Sequence, residues 1–107
     1  MPKQSAPREL AAIAPKLVEV TDNVLFADVW ERPGLSPRDR SLVTVSVLAA
    51  LYRPEQLGHH LGTALDNGLS VEELSEAITH LAFYAGWPSA MTAINQLKTI
   101  ADERDAG

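Results

Sequence analysis

Apolar residues recur at helical spacing along most of the chain, and the segments after the first begin with recognisable start signals. After a first segment at 8–20, Ser36 supplies an N-cap that is followed directly by proline, Pro54 begins another segment, Ser70 opens a capping box, and Pro88 begins the last segment. Because these start signals agree with an apolar period of about 3.6 residues, the sequence predicts an all-α fold.

The amino-terminal third is predicted to hold shorter helices. Pro15 should split the segment at 8–20, because proline lacks a backbone N–H and clashes with the preceding turn. Thr21 is predicted to be the N-cap of the next segment, which the turn at Pro33 ends. Residues 1–7 are rich in proline and polar side chains, and we expect them to form a loose arm.

The segment after Ser36 is the most apolar of the chain. It is predicted to run from Pro37 to about Tyr52 with apolar residues around almost its whole circumference, as expected of a central buried helix. Val43–Val47 also alternates like a strand. No partner strand is apparent elsewhere and the apolar run continues beyond this stretch, so the pattern favours a helix.

The later helices end at glycines and carry apolar residues on more than one face. Gly68 and Gly86 are positioned as C-terminal stops, and the polar tail from Asp102 is expected to fray. Phe83 is an apolar residue on an otherwise outward face, which is typical of a subunit contact. We therefore expect one compact domain over residues 1–107 that associates with further copies of itself.

Composition and charge exclude several classes of function. The chain has 107 residues, a formal net charge of −5 and no cysteine. The acidic balance argues against a nucleic-acid partner, and the lack of cysteine removes disulfides, thiolate metal sites and thiol redox chemistry. No apolar run approaches the roughly 20 residues that span a bilayer, and the first residues lack the apolar stretch of a secretory signal. We expect a cytoplasmic protein with no membrane, metal or nucleic-acid partner.

Two histidines border the predicted core. With Leu57 as the reference position, His60 falls at the flank of the apolar stripe, and His59 points to the opposite side. His80 and Tyr84 form a pair four residues apart at the flank of the next helix. A half-buried imidazole titrates near neutral pH, which suits proton transfer. The alternative, a hydrogen-bonded structural histidine, stays open for both.

Arginine and tryptophan supply the remaining candidates. Arg40 lies one turn into the helix that opens at Pro37, where it can bind a carboxylate with help from the helix dipole or form a surface ion pair. For Arg38 the surface ion pair is the expected role. Trp30 and Trp87 each adjoin a turn, where an indole can wall a pocket or fill the core.

Four motifs, in order along the chain, resemble the carboxymuconolactone decarboxylase family. They are WERPGL at 30–35, RDRSLVTV at 38–45, His60 with ALDNGL at 64–69, and ITHLAFYAGWPSA at 78–90. The likeness covers most of the chain, from about Leu25 to Ile100. The resemblance implies the all-helical alkylhydroperoxidase D-like bundle and assembly as a homo-oligomer, a trimer or a hexamer.

The resemblance also implies a chemistry. The decarboxylase of this family removes carbon dioxide from a carboxymuconolactone in aromatic catabolism, without a metal or an organic cofactor. The related thiol peroxidases use Cys-x-x-Cys with a histidine and an upstream glutamate. His60 falls on that histidine position, but Arg53 and Gln56 occupy the cysteine positions and Ser41 occupies the glutamate position. Thiol peroxidase chemistry is therefore excluded.

The sequence thus predicts a cofactor-independent decarboxylase for a small carboxylate or lactone acid. His60 would supply or relay a proton, Arg40 would orient a substrate carboxylate or lactone oxygen, and His80 or Tyr84 would act as a second donor. Substrate binding is assigned to three further residues, Trp30, Trp87 and Ser41. Two alternatives stay open: a catalytically silent helical oligomer that binds a small anion or a partner, and a proton-transfer enzyme for another oxo-acid.

Overall fold

The computed structural model describes residues 4–106, which form helices and turns without a β-strand. The prediction of an all-α fold is confirmed. The chain divides into two compact units, Met1–Pro37 and Arg38–Gly107, so the single domain expected from the sequence stays a prediction. Within the described residues, no helix combines the length and apolar character that crossing a membrane requires.

The first unit is built from short helical segments. A 3₁₀ helix spans Arg8–Ala12, α1 spans Pro15–Val20, a π-helix spans Thr21–Phe26, and a 3₁₀ turn spans Val29–Glu31. The break before Pro15 confirms the predicted split of the first segment, since a proline at the first helical position needs no N–H partner.

Thr21 is not the N-cap that the sequence predicted. The helical path that begins at Pro15 continues through Thr21 without a break, and the Thr21 hydroxyl donates to the carbonyl of Leu17 at 2.7 Å. A hydroxyl that bonds back to the preceding turn satisfies a threonine inside a helix, and it is then not available to cap a new one.

The segment before the first helix is held by Asp22. Ala6 is buried and its N–H donates to Oδ1 of Asp22 at 2.8 Å, while the Arg8 guanidinium pairs with the same carboxylate. These contacts, the Ala6 N–H first, hold the pKa of Asp22 below its usual range. The predicted loose arm therefore does not extend through Ala6, and its first residues, 1–3, lie outside the described part.

The second unit contains longer helices whose apolar faces meet in one core. α2 spans Pro37–Ala50, α3 spans Pro54–Asp66, α4 spans Val71–Ala85 and α5 spans Trp87–Ala106. Each start agrees with the sequence prediction to within one residue. The core side chains include Val45, Ala49, Leu57, Leu61, Leu74, Ile78, Ala93 and Leu97.

Local capping chemistry sets two of the helix boundaries. The Glu73 N–H donates to the Ser70 hydroxyl at 3.0 Å and the Ser70 N–H donates to the Glu73 carboxylate at 3.0 Å, which confirms the predicted capping box of α4. Gly68 takes a φ of +109°, and the backbone there turns back onto the carbonyls of the last turn of α3. Gly68 is thus the stop that the sequence predicted.

α2 ends two residues before its predicted end. Tyr52 takes the left-handed conformation, with φ +57°, so the helix cannot continue through it. The Tyr52 N–H donates to the Ala49 carbonyl at 3.2 Å, and the Arg53 N–H donates to the Leu48 carbonyl at 2.9 Å. This pair of bonds closes α2 in a Schellman motif, with tyrosine at the position where glycine is usual.

α2 is also not buried on all sides. Ser41, Val45 and Ala49 are buried, whereas Val43 and Val47 are 54% and 48% exposed. The prediction of a central buried helix is therefore wrong for the chain taken alone. Only one face of α2 packs into the core, because the three buried positions recur every four residues along one side.

α5 extends beyond the point where fraying was predicted. The helix continues past Asp102 to Ala106. The Lys98 ammonium bonds to the Asp102 carboxylate at 2.7 Å, and Arg104 pairs with Asp66 of α3 at 3.0 Å. Contacts with α3, which the local sequence does not reveal, hold the last turns of α5 in place.

Candidate functional site

The two flanks of α2 separate the candidate residues. Ser41 and Val45 face the core. Because neighbouring residues on a helix are about 100° apart, the residue before each of these two and the residue after it lie on opposite flanks of α2. Leu42 and Ser46, each one residue further along the chain, lie on the flank that faces α4, where both line a cavity with α4 residues. Arg40, one residue before Ser41, lies on the other flank.

His60 lies on the side of α3 that is turned to α2. Gly62 faces α5, since a Cβ at this position would lie 3.5 Å from the Arg104 guanidinium. His60 precedes Gly62 by two residues and is therefore about 200° away from it. Asn67, close to two full turns after His60 and on nearly the same side, donates to the Ser41 hydroxyl of α2 at 2.9 Å. Helical spacing thus places His60 on the side of α3 from which Asn67 contacts α2.

The His60 imidazole is half-buried and retains an unused nitrogen. Its Nδ1 atom is buried and has no hydrogen-bond partner among the described residues. The exposed His59 ring meets it edge-on, with 5.0 Å between ring centroids. Burial lowers the pKa of His60 below its usual 6.5, and the nearby His59 charge lowers it further. A neutral imidazole with an open nitrogen can accept a hydrogen bond or a proton from a bound molecule.

Ser41 joins α2 to the end of α3. Its side chain is only 2% exposed, and its hydroxyl accepts the hydrogen bond from Asn67. Arg40, which precedes Ser41 directly, is half-buried. The substrate-binding role assigned to Ser41 stays a prediction.

His80 and Tyr84 lie on the opposite flank of α2. Both are exposed, and their rings stack with 5.2 Å between centroids and a tilt of 30°. They line a cavity of about 680 Å³ between α2 and α4, together with Leu42, Ser46, Glu73, Glu76, Ala77 and Leu81. His60 and Arg40 do not line this cavity, so of the four predicted catalytic residues the structure brings together His80 and Tyr84.

Arg38 has the surface role that the sequence predicted. Its guanidinium pairs with Asp39 at 3.0 Å and with Glu73 of α4. The Glu73 pKa lies below its usual range, first because the Ser70 N–H bonds to the carboxylate and then because of Arg38. This ion pair joins the first turn of α2 to the first turn of α4 beside the cavity.

The two tryptophans belong to different units. Trp87 packs edge-on against Phe83, with 5.2 Å between ring centroids, and both rings are exposed. Trp87 therefore does not fill the core. Trp30 is partly exposed and lies in the first unit. Their predicted contact with substrate stays a prediction.

Sequence reasoning did not single out two side chains that shape these sites. Asn67 fixes Ser41, and its spacing of seven residues from His60 places both on one side of α3. Glu76 gives the cavity a second carboxylate. Its spacing of four residues from His80 is a signal that the sequence does contain, because residues four apart share one side of a helix.

These features define a helical domain that carries imidazole and guanidinium groups at helix seams, which suits acid–base chemistry on small charged molecules. Comparison with known families agrees with this class. The chain belongs to the carboxymuconolactone decarboxylase family, whose model matches residues 15–99. The family predicted from the four motifs is confirmed.

Two curated relatives are decarboxylases. The chain is 41% identical over 75 residues to a 4-carboxymuconolactone decarboxylase of Acinetobacter baylyi, a match that covers 70% of this chain and 56% of the relative. It is also 41% identical over 83 residues to a nitrosuccinic acid decarboxylase of Metarhizium robertsii, covering 77% and 58%. The chain therefore spans little more than half the length of these relatives.

Proposed function

We propose that the chain is a cofactor-independent decarboxylase for a small acid, either a lactone acid or a related dicarboxylic acid. The observation that carries the proposal is the His60 imidazole, half-buried on the α2 side of α3 with an unpartnered Nδ1 and a lowered pKa. The names of both curated relatives support the reaction class. Cytoplasmic aromatic catabolism, as predicted from the sequence, is part of this proposal.

His60 is suited to deliver the proton that replaces the lost carboxylate. Its lowered pKa leaves the free imidazole neutral at pH 7, and an anionic substrate bound beside it raises that pKa and favours the imidazolium. The carbon–carbon bond to the carboxylate then breaks, carbon dioxide leaves, and the electron pair stays on the substrate, as an enolate in a lactone acid or as a nitronate in nitrosuccinate. The imidazolium gives its proton to a carbon of this anion and becomes neutral again.

Arg40 supplies the positive charge that orients the substrate. It lies in the first turn of α2, where the positive end of the helix dipole adds to the attraction for an anion. A guanidinium can hold a carboxylate or lactone oxygen through two parallel hydrogen bonds. The Ser41–Asn67 hydrogen bond keeps this turn of α2 fixed to α3, which carries His60.

The second-donor role of His80 or Tyr84 stays a prediction that the geometry of one chain does not support, because both lie on the α4 side of α2. The proposal for the partners of this chain includes a homo-oligomer, a trimer or a hexamer. Self-association is supported by large apolar side chains that α2, α4 and α5 leave exposed. The trimer or hexamer is what the family resemblance implies.

The experiment that tests the proposal is an assay of the full chain with 4-carboxymuconolactone and with nitrosuccinate, in which the release of carbon dioxide is measured. We expect turnover of at least one acid, and a loss of about 100-fold or more in kcat for His60→Gln, the usual size of a general acid–base contribution. The matched control is His59→Gln, which removes the adjacent exposed imidazole and should change kcat by less than about threefold.

Two results would contradict the proposal. A folded His60→Gln variant with unchanged kcat/KM would exclude His60 as the proton donor. Wild-type protein that binds these acids without releasing carbon dioxide would instead support the silent helical oligomer, since binding would then occur without chemistry.

A further inference from the structure

We propose that the cavity between α2 and α4 is a second binding site, for a small apolar molecule that carries a protonated amine. The observation is that one cavity brings together apolar walls, a stacked imidazole–phenol pair and two carboxylates, without an arginine or lysine in its lining. This site goes beyond the proposed decarboxylation, because it lies on the flank of α2 opposite to Arg40.

The apolar part of the cavity sets the size of the ligand. Leu42, Ala77 and Leu81 contribute its apolar wall, and its volume is about 680 Å³. The cavity is open to solvent along much of its extent, so it can hold one side of a small organic molecule against its walls. The walls therefore favour an aromatic or alkyl group over a fully polar ligand.

The charges that face the cavity select a cation. Glu73 is compensated by Arg38, whereas Glu76, nearly one turn further along α4, makes no hydrogen bond or ion pair in the described part of the chain. Glu76 thus leaves one uncompensated negative charge at the apolar wall. A protonated amine is attracted to this charge, and a carboxylate is repelled by it.

The stacked pair offers a flat surface to the apolar part of the ligand. His80 and Tyr84 lie side by side in the cavity wall, 5.2 Å between ring centroids. Glu76 lies one turn before His80 on α4, and His80 lies between Glu76 and Tyr84. An amine paired with Glu76 would therefore place its apolar body, rather than its charge, against these rings and Leu81.

The two sites accept ligands of opposite charge. The decarboxylation site on the Arg40 flank is proposed for an anion, and the cavity on the Ser46 flank is proposed for a cation. The amine site can consequently be tested by binding alone, without reference to turnover. A failure to bind the amine would not contradict the proposed decarboxylase activity, and a lack of decarboxylase activity would not contradict the amine site.

The test is calorimetric titration of the full chain with phenethylammonium, and with 3-phenylpropionate and 2-phenylethanol as anionic and neutral probes of similar shape. We expect the amine to bind at least about fivefold more tightly than the alcohol, and the acid more weakly than both. Added salt should weaken the binding of the amine, because part of its affinity is Coulombic. Amide NMR shifts should appear at Ala77 and Leu81.

Charge-removing variants provide the decisive comparison. Glu76→Gln should reduce the affinity for phenethylammonium about fivefold and leave decarboxylation unchanged. Glu72→Gln is the matched control, since Glu72 is exposed on the same helix but does not line the cavity, and it should bind the amine as the wild type does. Arg38→Gln should tighten binding, because it leaves Glu73 without its cation.

Three outcomes would overturn the proposal. The first is equal affinity for the amine and the acid, which would mean that the cavity does not select charge. The second is unchanged amine binding in Glu76→Gln. The third combines two results: the amine causes no NMR shifts at Ala77 and Leu81 of the wild type, and Glu76→Gln changes the oligomeric state. Together they would show that a second copy of the chain occupies the cavity.

Discussion

At the residue scale, His60 combines partial burial with a side chain that can transfer a proton. Its position beside the apolar stripe could be predicted, because Leu57 and His60 are separated by a fixed angle on one helix. Its unpartnered Nδ1 could not be predicted, since that depends on which atoms of other helices approach it. The same burial that lowers the pKa of His60 also makes the folded state sensitive to acid.

We expect His60 to reduce stability as the pH falls below 6.5, the usual histidine pKa. Above that pH the imidazole is neutral in both the folded and unfolded states and contributes nothing. Below it the unfolded chain binds a proton that the folded chain binds only at a lower pH, so the free energy of unfolding decreases. The measurement is the urea midpoint at pH 7.5 and at pH 5, where His60→Gln should lose less stability than the wild type.

The control for this prediction is His59→Gln, which keeps the buried imidazole. It should lose nearly as much stability as the wild type between the two pH values, because burial is the larger cause of the lowered His60 pKa. Equal pH dependence in His60→Gln and in the wild type would mean that this imidazole titrates alike in both states.

At the element scale, the helix starts were predictable because capping is local chemistry. Ser70 and Glu73 satisfy each other within one turn, and Gly68 supplies the positive φ that ends α3. The end of α2 was not predictable in the same way. No glycine marks it, and the left-handed conformation is taken by Tyr52, a residue type that rarely adopts it.

Replacing Tyr52 by glycine should stabilise the chain. The left-handed conformation costs a residue with a side chain about 1–2 kcal/mol, and Tyr52 is more than half exposed, so little packing is lost with its ring. The greater flexibility of glycine in the unfolded chain offsets part of this gain, and we expect a net increase of about 0.5–1 kcal/mol in the free energy of unfolding. Chemical denaturation measures it.

Tyr52→Ala distinguishes backbone strain from loss of the ring. Alanine removes the same ring but retains the Cβ that disfavours the left-handed conformation, so this variant should not be more stable than the wild type. If alanine stabilises the chain as much as glycine does, the strain at position 52 is not the cause.

The departures from the predicted helices share one physical origin. Asp66 of α3 holds Arg104, which keeps α5 helical past Asp102, and only one face of α2 enters the core. Both depend on contacts between helices that lie far apart in the sequence. The local sequence pattern therefore predicted where the helices lie. Packing between helices determines how far each helix extends and which candidate residues share a flank of α2.

At the scale of the whole molecule, a single chain leaves an unusual amount of apolar surface in water. Val43 and Val47 remain exposed on α2, and Phe83, Trp87 and Met91 are spaced four residues apart across the end of α4 and the start of α5. The last three side chains are 73%, 56% and 51% exposed. Exposed large apolar residues in this number usually mark contacts between chains.

We expect the wild-type chain to associate at micromolar concentration, with Phe83 and its edge-on partner Trp87 inside the contact. Phe83→Glu places a charge at that contact, where its desolvation is unfavourable, and should weaken association at least about tenfold. Thr99→Glu adds the same charge to an exposed polar position of α5 and should leave association unchanged. Sedimentation velocity measures both, and a wild-type chain that sediments only as an 11.6 kDa monomer would contradict the proposed oligomer.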